Sequence, residues 1–274
     1  RAMNNLLFKK WNDFSGWIVF LIAAFVYGMT IEPTASFWDC PEFISCAEKL
    51  QVGHPPGAPF YMLVGNLFTQ FASEASQVSW LVNFLNALLS AGCILFLFWS
   101  ITRLVRSLIV NEEQNLSTID VIVILGSGFV GALAYTFSDT FWFSAVEGEV
   151  YAFSSFLTAL VFWMILRWQD ESDSVYGDRW IILIAYIIGL SIGVHLLNLL
   201  CIPAIVLVFY YQKYHAISFK GVAAAIVISG LLIVFILFVY IPGIADMGGW
   251  FELLFVNVFG LPFHTGLIDR KSVV

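Results

Sequence analysis

The sequence predicts an all-α membrane protein with about seven transmembrane helices. Of its 274 residues, 60% are hydrophobic and only 11% are charged, and the mean hydropathy is +0.89. A soluble domain carries about 25% charged residues, so this chain could not cover its surface in water. Its apolar residues also fall in runs close to the length of a bilayer-crossing helix, about 20 residues. A net charge of −7 without a basic run argues against a nucleic-acid partner.

Five apolar runs each predict one span, namely residues 14–31, 78–104, 119–137, 150–166 and 221–241. Residues 180–212 contain no Asp, Glu, Lys or Arg but are too long for one helix, so we expect two short spans that meet near residues 195–198. In the third run, Gly126, Gly128 and Gly131 are small enough for close helix packing. Residues 242–274 are polar and aromatic again.

The basic residues predict the orientation through the positive-inside rule. With a cytoplasmic N-terminus, nine of the 12 Lys and Arg residues lie inside, and only Lys49, Arg270 and Lys271 lie outside. Counting the short apolar run 60–72 as a span would spoil this asymmetry, so we expect an interfacial or re-entrant helix there. The outer face then carries the first loop, residues 32–78, with an acidic site. The abrupt end in DRKSVV predicts that residues 1–274 are the N-terminal part of a longer protein.

Residues 36–59, SFWDCPEFISCAEKLQVGHPPGAP, form a long polar interruption early in the chain. Within it, Asp39-Cys40-Pro41-Glu42 has the pattern of a capping box, with Asp39 as the N-cap, Pro41 in the first turn and Glu42 as the capping partner. The functional interpretation is that Asp39 is a general base, which must reach its proton directly or through one water. The two aromatic residues before it would shield it from water. The capping and catalytic interpretations are compatible.

Three further residues on the outer face have a structural and a functional interpretation. His54 begins HPPGAP, which cannot be helical because proline disfavours the α conformation in the preceding residue. The segment is either an interfacial turn or a rigid support that aims His54 at the carboxylates of the loop or at a phosphate. Glu147 and Glu149 are either helix-start acids that complement the dipole or part of the site.

The same choice applies to three residues nearer the C-terminus. His195 and Asn198 are either core residues with satisfied hydrogen bonds or functional groups, the default for polar residues at membrane depth. For His264, in GLPFHTG, the sequence favours neither the structural nor the functional interpretation.

Four motifs then carry a family resemblance: PTASFWDCPEF, KLQVGHPPGAPFY, VEGEVYAF and GVHLLNLLCIPA. In this order they resemble a bacterial multi-pass membrane family first catalogued as a domain of unknown function. That family is related to the protein O-mannosyltransferase-like enzymes of the GT-C glycosyltransferase superfamily. The resemblance covers most of the chain and is densest over residues 32–66. It implies a GT-C-type bundle of about seven transmembrane helices over residues 1–274, with a catalytic acid in the first outer loop.

The resemblance also implies a reaction and its participants. A mannose-like sugar would move from a polyprenyl-phosphate donor to an acceptor hydroxyl, such as Ser or Thr of an exported protein, or to a glycan. The active site would lie on the periplasmic face of a bacterial inner membrane, among membrane lipids and without a required cofactor. Asp39 takes the position of the catalytic acid, with Glu42 beside it. We assign substrate binding to Trp38, His54, Tyr61, Glu147, Glu149, His195, Asn198 and His264.

The predicted outer face holds few cations to stabilise a leaving phosphate. We therefore expect His54 near the phosphate, and we expect this part of the protein to be inactive alone. If Asp39, Glu42, Glu147 and Glu149 converge, their oxygens suit Mg²⁺, Mn²⁺ or Ca²⁺, although related enzymes generally work without a metal. One alternative is a membrane transporter or lipid-handling protein, whose polar residues would line a path through the membrane. Another is a non-catalytic scaffold subunit of a cell-envelope assembly, in which Asp39 is only a cap.

Overall fold

The structure is a computed structural model that describes residues 4–55, 57–110, 115–214 and 216–263. In this part of the chain the regular elements are helices, so the predicted all-α fold is confirmed. The helices are α1 Asn5–Met29, α2 Cys40–Lys49, α3 Pro59–Thr69, α4 Ser76–Ile109, α5 Thr118–Thr136, α6 Asp139–Ala145, α7 Val150–Glu171, α8 Asp178–Ile192, a 3₁₀-helix Leu196–Leu200, α9 Cys201–Lys213, α10 Phe219–Phe235, a π-helix Ile236–Tyr240 and α11 Ile241–Asn257.

The chain divides into two compact units, residues 1–201 and 202–274. In the first unit α4 is central and packs against α1, α5 and α7. A Cβ added to Gly128 of α5 would lie 2.7 Å from a ring carbon of Phe98 on α4. One added to Gly131 would lie 2.6 Å from Ile101. Close packing at these two glycines is therefore confirmed, whereas Gly126 has nothing within 4 Å and its prediction was wrong.

Six helical segments within the described residues are long and apolar enough to cross a membrane, not seven. They are Asn5–Met29, Ser76–Ile109, Thr118–Thr136, Val150–Glu171, Leu196–Lys213 and Phe219–Asn257. The predicted span that is missing from this set is the one over α8, because this helix has only 15 residues. The predicted break is present, because α8 ends at Ile192 and the 3₁₀-helix begins at Leu196. At 11 residues, α3 is shorter than these spans, in agreement with an interfacial or re-entrant helix.

In the second unit the helix that begins at Phe219 continues further than expected. We predicted that it ends near Ile241, but α10, the π-helix and α11 follow one another without a gap as far as Asn257. Pro242 lies in the first turn of α11, where its missing N–H and its ring would disturb a regular helix. The wider turn of the π-helix directly before Pro242 accommodates it, so the helix continues through the proline.

The first unit has two chemically different ends. At one end, Asn83 near the start of α4 donates to the carbonyl oxygen of Glu32, which follows α1. At the other end, Arg103 near the end of α4 forms an ion pair with Asp170 of α7. We call the first the acidic end and the second the basic end. Asn86, at the acidic end, and Arg103 are separated by about 25 Å along α4, close to the hydrocarbon thickness of a bilayer, about 30 Å.

Candidate functional site

The loop between α1 and α4 folds into a helical hairpin, α2 and α3, at the acidic end. Asn66 of α3 donates from Nδ2 to the carbonyl oxygens of Ala47 and Glu48, at 2.9 and 3.0 Å. It thereby satisfies carbonyls at the end of α2 that have no partner inside the helix. At the start of α3, the Phe60 N–H donates to the carbonyl oxygen of Gly193 at 2.7 Å. Asn66 therefore joins α3 to α2, and Phe60 joins it to the break that follows α8.

This fold brings Asp39, Glu42 and His54 together. The backbone N–H of His54 donates to Glu42 Oε1 at 2.6 Å, and its ring Nδ1 lies 3.1 Å from Glu42 Oε2. Because a carboxylate only accepts, Nδ1 carries the proton in this contact. His54 Nε2 faces Asp39 Oδ2 at 3.9 Å. The expectation that the segment aims His54 at carboxylates of the loop is confirmed.

The prediction of a capping box at Asp39 was wrong about its hydrogen bonds. Asp39 precedes α2 and a proline lies in the first turn, as expected, but the Asp39 side chain makes no capping hydrogen bond. The Asp39 backbone is itself helical, with φ −83° and ψ −10°, whereas an N-cap residue that accepts from the first turn is extended. Glu42, the predicted capping partner, is occupied by His54. These hydrogen bonds, the backbone one foremost, lower the pKa of Glu42 below its usual value.

Trp38 has an unusual backbone conformation directly before the site. Its φ of 66° is in the left-handed region, which costs a bulky residue on the order of 1–3 kcal/mol and is typical of functional sites. The side chains of Phe37 and Trp38 are 88% and 89% exposed. The expectation that they shield Asp39 from water is therefore wrong, and the Asp39 carboxylate is 57% exposed. Both rings are free to contact a lipid or a substrate.

A second group of acids lies beside the first and is buried. Asn86 of α4 donates from Nδ2 to the carbonyl oxygens of Glu147 and Glu149, the latter at 2.7 Å. The Glu147 carboxylate accepts from the Ser36 hydroxyl. Burial raises the pKa of Glu147, and it raises that of Glu149 to about 7 with further contributions from the charges of Glu147 and Asp39. Asp39 of the first group therefore acts electrostatically on Glu149 of the second.

Sequence reasoning missed the residues that support this buried group: Ser36, Asn83 and Asn86. Asn83 and Asn86 are both fully buried on α4. Their spacing of three places them on one face of the helix. Two asparagines on one face of an apolar run are a signal that could have found them, because polar groups inside a membrane helix seek partners.

Two of the predicted binding residues lie inside the protein. Tyr61 is fully buried and its hydroxyl donates to Asn86 Oδ1 at 3.4 Å, while burial raises its pKa. Asn198 is 1% exposed and its Oδ1 accepts from the hydroxyl groups of Ser154 and Thr158. Neither side chain presents a surface to a substrate in this structure, and both support neighbouring elements instead.

His195 lies apart from the three-residue cluster. Its Nδ1 accepts from the Leu197 N–H at 3.2 Å, which starts the 3₁₀-helix, and its ring is 5.5 Å from that of Tyr151. Burial lowers the pKa of His195, so it favours the neutral form. The structural interpretation of His195 accounts for these contacts. His264 lies outside the described residues.

A metal ion could be held by Asp39, Glu42 and His54, whose ligand atoms all lie within 4.8 Å of one another. Two carboxylates and an imidazole are a reasonable donor set for Mn²⁺ or Zn²⁺. This set differs from the predicted set of four acids, since His54 replaces Glu147 and Glu149. A metal bound at His54 Nε2 would leave the hydrogen bond from Nδ1 to Glu42 in place.

Comparisons with known proteins assign the chain to a family. The family described as the N-terminal domain of protein O-mannosyl-transferase TMEM260 matches residues 39–218, more than half of the chain. "Protein O-mannosyl-transferase tmem260" of Dictyostelium discoideum is 24% identical over 148 residues, 54% of this chain and 16% of that protein. "Protein O-mannosyl-transferase TMEM260" of Mus musculus is 25% identical over 174 residues, 64% of this chain and 22% of that protein.

The chain thus covers less than a quarter of the length of these two relatives. No solved structure matches it. The family match begins at Asp39 and includes His54, Glu147, Glu149 and His195. The chain therefore belongs to the family of the protein O-mannosyl-transferase TMEM260 N-terminal domain.

Proposed function

We propose that this chain is the membrane module of a glycosyltransferase that transfers a mannose-like sugar from a polyprenyl-phosphate donor to a Ser or Thr hydroxyl of an exported protein. The observation that carries the proposal is the cluster of Asp39, Glu42 and His54 at the acidic end, beside the buried Glu147 and Glu149. Both groups lie inside the region that matches the family. The names of the two relatives support the choice of sugar and of a protein acceptor.

Asp39 is the proposed general base. Its carboxylate is 57% exposed and accepts no hydrogen bond from a side chain of the described residues, so it is open to an acceptor hydroxyl. In an inverting transfer, the acceptor oxygen bonds to the anomeric carbon while the bond from that carbon to the phosphate oxygen breaks. The hydroxyl proton passes to Asp39, and the bonding electrons leave with the lipid phosphate. Reach and exposure both suit this role.

Glu42 and His54 have proposed positioning and binding roles. Glu42 fixes His54 through two hydrogen bonds, one from the backbone and one from the ring. The ring then lies next to Asp39, where its imidazolium form can donate from Nε2 to a phosphate oxygen of the donor while Nδ1 donates to Glu42. Lys49 is the one Lys or Arg residue that this loop carries.

We propose that no metal is required. If one binds, Asp39, Glu42 and His54 would hold it, and it would stabilise the negative charge of the leaving phosphate. The proposed localisation is a membrane with the acidic end on the outer face. Our expectation of a bacterial inner membrane is an inference from the sequence alone, since both relatives are eukaryotic.

The test is sugar transfer by the full-length protein carrying Asp39→Asn, at matched membrane levels. Because the Asp39 side chain makes no capping hydrogen bond, the substitution changes the base and leaves the start of α2 intact. We expect transfer to fall by about 10²–10⁴-fold. The matched control is Glu48→Gln, which neutralises an exposed acid of the same helix and leaves transfer unchanged.

Other outcomes favour other functions. Transfer that survives Asp39→Asn would reject Asp39 as the base and direct the search to Glu42 or Glu147. Absence of transfer by the wild type would favour the transporter or the envelope scaffold. The candidate site residues Asp39, Glu42, Glu147 and Glu149 lie at one end of the first unit and not along a path through it, which supports the enzyme over the transporter.

A further inference from the structure

The basic end of the first unit contains a cavity of about 1120 Å³. It lies among α1, the end of α4, the end of α7 and the start of α8, far from the candidate site. Its volume exceeds the range of about 300–1,000 Å³ that small-molecule pockets cover. None of the residues assigned to sugar transfer lines it. The proposed sugar transfer therefore does not account for this cavity.

Four cations line this cavity: Lys9, Arg103, Arg106 and Arg167. Arg103 is paired with Asp170, and Arg167 with Glu171. Arg106 instead donates to the neutral Asn5 side chain at 2.9 Å and lies over the Phe8 ring.

Lys9 and Arg106 form no ion pair within the part of the chain that the structure describes. Asp13, the remaining acid in the wall, makes no ion pair with a described cation either. Two cations that have no acidic partner among these residues thus line the cavity of a chain whose net charge is −7.

Four tryptophans form the apolar part of the wall. The ring centroids of Trp17 and Trp99 are 6.2 Å apart, those of Trp99 and Trp163 are 6.0 Å apart, and those of Trp163 and Trp180 are 6.2 Å apart. This series of contacts joins α1, α4, α7 and α8. Tryptophans are typical of the headgroup level of a membrane protein. Trp17 is 51% exposed and Leu6, also in the wall, 69%, so the cavity reaches the surface that faces lipid.

We propose that this cavity binds the phosphate headgroup of an anionic phospholipid. Lys9 and Arg106 supply positive charge that has no acidic partner among the described residues, and the indoles supply the amphipathic surface on which glycerol and the first acyl carbons pack. The position of the cavity fits a membrane surface, because Arg103 in its wall lies about 25 Å along α4 from Asn86 at the acidic end, close to the hydrocarbon thickness of a bilayer. Basic pockets between helices at a membrane surface bind lipid headgroups in this way. A soluble phosphate compound would need the cations but not a row of tryptophans that reaches the lipid-facing surface at Trp17.

The experiment measures association of phosphatidylglycerol with the full-length protein in detergent, by native mass spectrometry and by the shift in Tm on adding lipid. The variant Lys9→Gln/Arg106→Gln removes both cations that lack acidic partners. Its matched control is Lys10→Gln/Arg179→Gln, because Lys10 neighbours Lys9 and Arg179 stacks on Tyr176 at 4.1 Å, and neither lines the cavity. Phosphatidylcholine and soluble glycerol phosphate are the comparison ligands. Size-exclusion profiles and circular dichroism establish that each variant folds.

We expect the wild type and the control to bind phosphatidylglycerol in preference to phosphatidylcholine. The cavity variant should bind it on the order of thirtyfold more weakly. Three results would overturn the proposal. Equal weakening in both variants would indicate general attraction to a basic surface, and unchanged binding in the cavity variant would locate the lipid elsewhere. Stabilisation by glycerol phosphate equal to that by the lipid would identify a soluble phosphate ligand.

Discussion

Glu42 and Glu149 lie in the same site but have opposite protonation behaviour. Hydrogen bonds from His54 lower the pKa of Glu42, whereas burial, then the charge of Glu147, then that of Asp39, raise the pKa of Glu149 to about 7. Titratable groups whose environments push their pKa values apart are typical of acid–base sites. At neutral pH, Glu42 is an obligate acceptor, while Glu149 can hold a proton.

The pKa of Glu149 predicts a pH-dependent stability. An ordinary glutamate ionises near 4.5, so between about 4.5 and about 7 the unfolded chain loses this proton while the folded chain keeps it. The stability that the proton contributes is present below this window and is lost as the pH rises through it. Glu149→Gln should therefore gain stability relative to the wild type as the pH rises from 5, and the gain should level off above pH 7 at no more than about 3 kcal/mol.

Thermal unfolding in detergent, measured from pH 5 to pH 8, tests this prediction. Glu149→Gln keeps the size of the side chain, and the Asn86 hydrogen bond is unaffected because it goes to the Glu149 backbone. Glu48→Gln, which neutralises an exposed acid, serves as the control and should show no such trend. A Tm difference that is constant across this range would contradict the burial of Glu149.

Among the short elements, the sequence predicted the helix at Cys40 but not the contacts that stabilise it. Asp39, Pro41 and Glu42 match a local pattern, and local patterns predict where a helix starts. The partner of Glu42 is His54, 12 residues further along the chain. A capping box is a contact within one turn, so a hydrogen bond from the next segment can replace it without a change in the local sequence. The pairing of His54 with the acids was predictable only because the prolines after it exclude a helix.

The turn that carries Glu147 and Glu149 depends on Gly148. A Cβ added there would lie 2.9 Å from Asn83 Oδ1, 3.0 Å from Ile44 Cγ1 and 3.1 Å from Val82 Cγ1. These atoms belong to α2 and α4, and Asn83 and Val82 are fully buried, so they have little room to move. The glycine thus lets the turn approach both helices closely.

Gly148→Ala should lower the free energy of unfolding by about 1–3 kcal/mol, the cost of overpacking a tight core. Gly126→Ala on α5 is the matched control, because nothing lies within 4 Å of its added Cβ. The control should be neutral or slightly stabilising, since alanine is favoured over glycine within a helix. Chemical denaturation of both proteins in the same detergent compares them, and equal stability of the two variants would disprove the close approach at Gly148.

For the whole molecule, composition predicted a helical membrane protein, and hydropathy located most of the spans. The missing span is α8, where an apolar stretch is interrupted at Gly193 to His195 and leaves 15 residues of helix. Hydropathy measures the apolar character of a stretch and not where its helix ends. The bridge from Gly193 to the start of α3 is a long-range contact that a linear pattern does not contain.

The orientation of the first unit provides the last prediction. Arg103, Arg106 and Arg167 lie at its basic end, whereas the loop at the acidic end carries Lys49 alone among Lys and Arg, so the positive-inside rule assigns the acidic end to the outer face. Val52, 76% exposed, lies in the site loop, and Val175, 93% exposed, lies between α7 and α8 at the basic end. In intact cells, a membrane-impermeant maleimide should therefore label Val52→Cys and should label Val175→Cys only after permeabilisation. The unmodified protein gives the background from its own cysteines, of which Cys40, Cys46 and Cys93 are buried. The reverse labelling pattern would place the candidate site in the cytoplasm and rule out its use of acceptors on the outer face. Labelling of both variants in intact cells would mean that α4, α5 and α7 do not all cross the membrane.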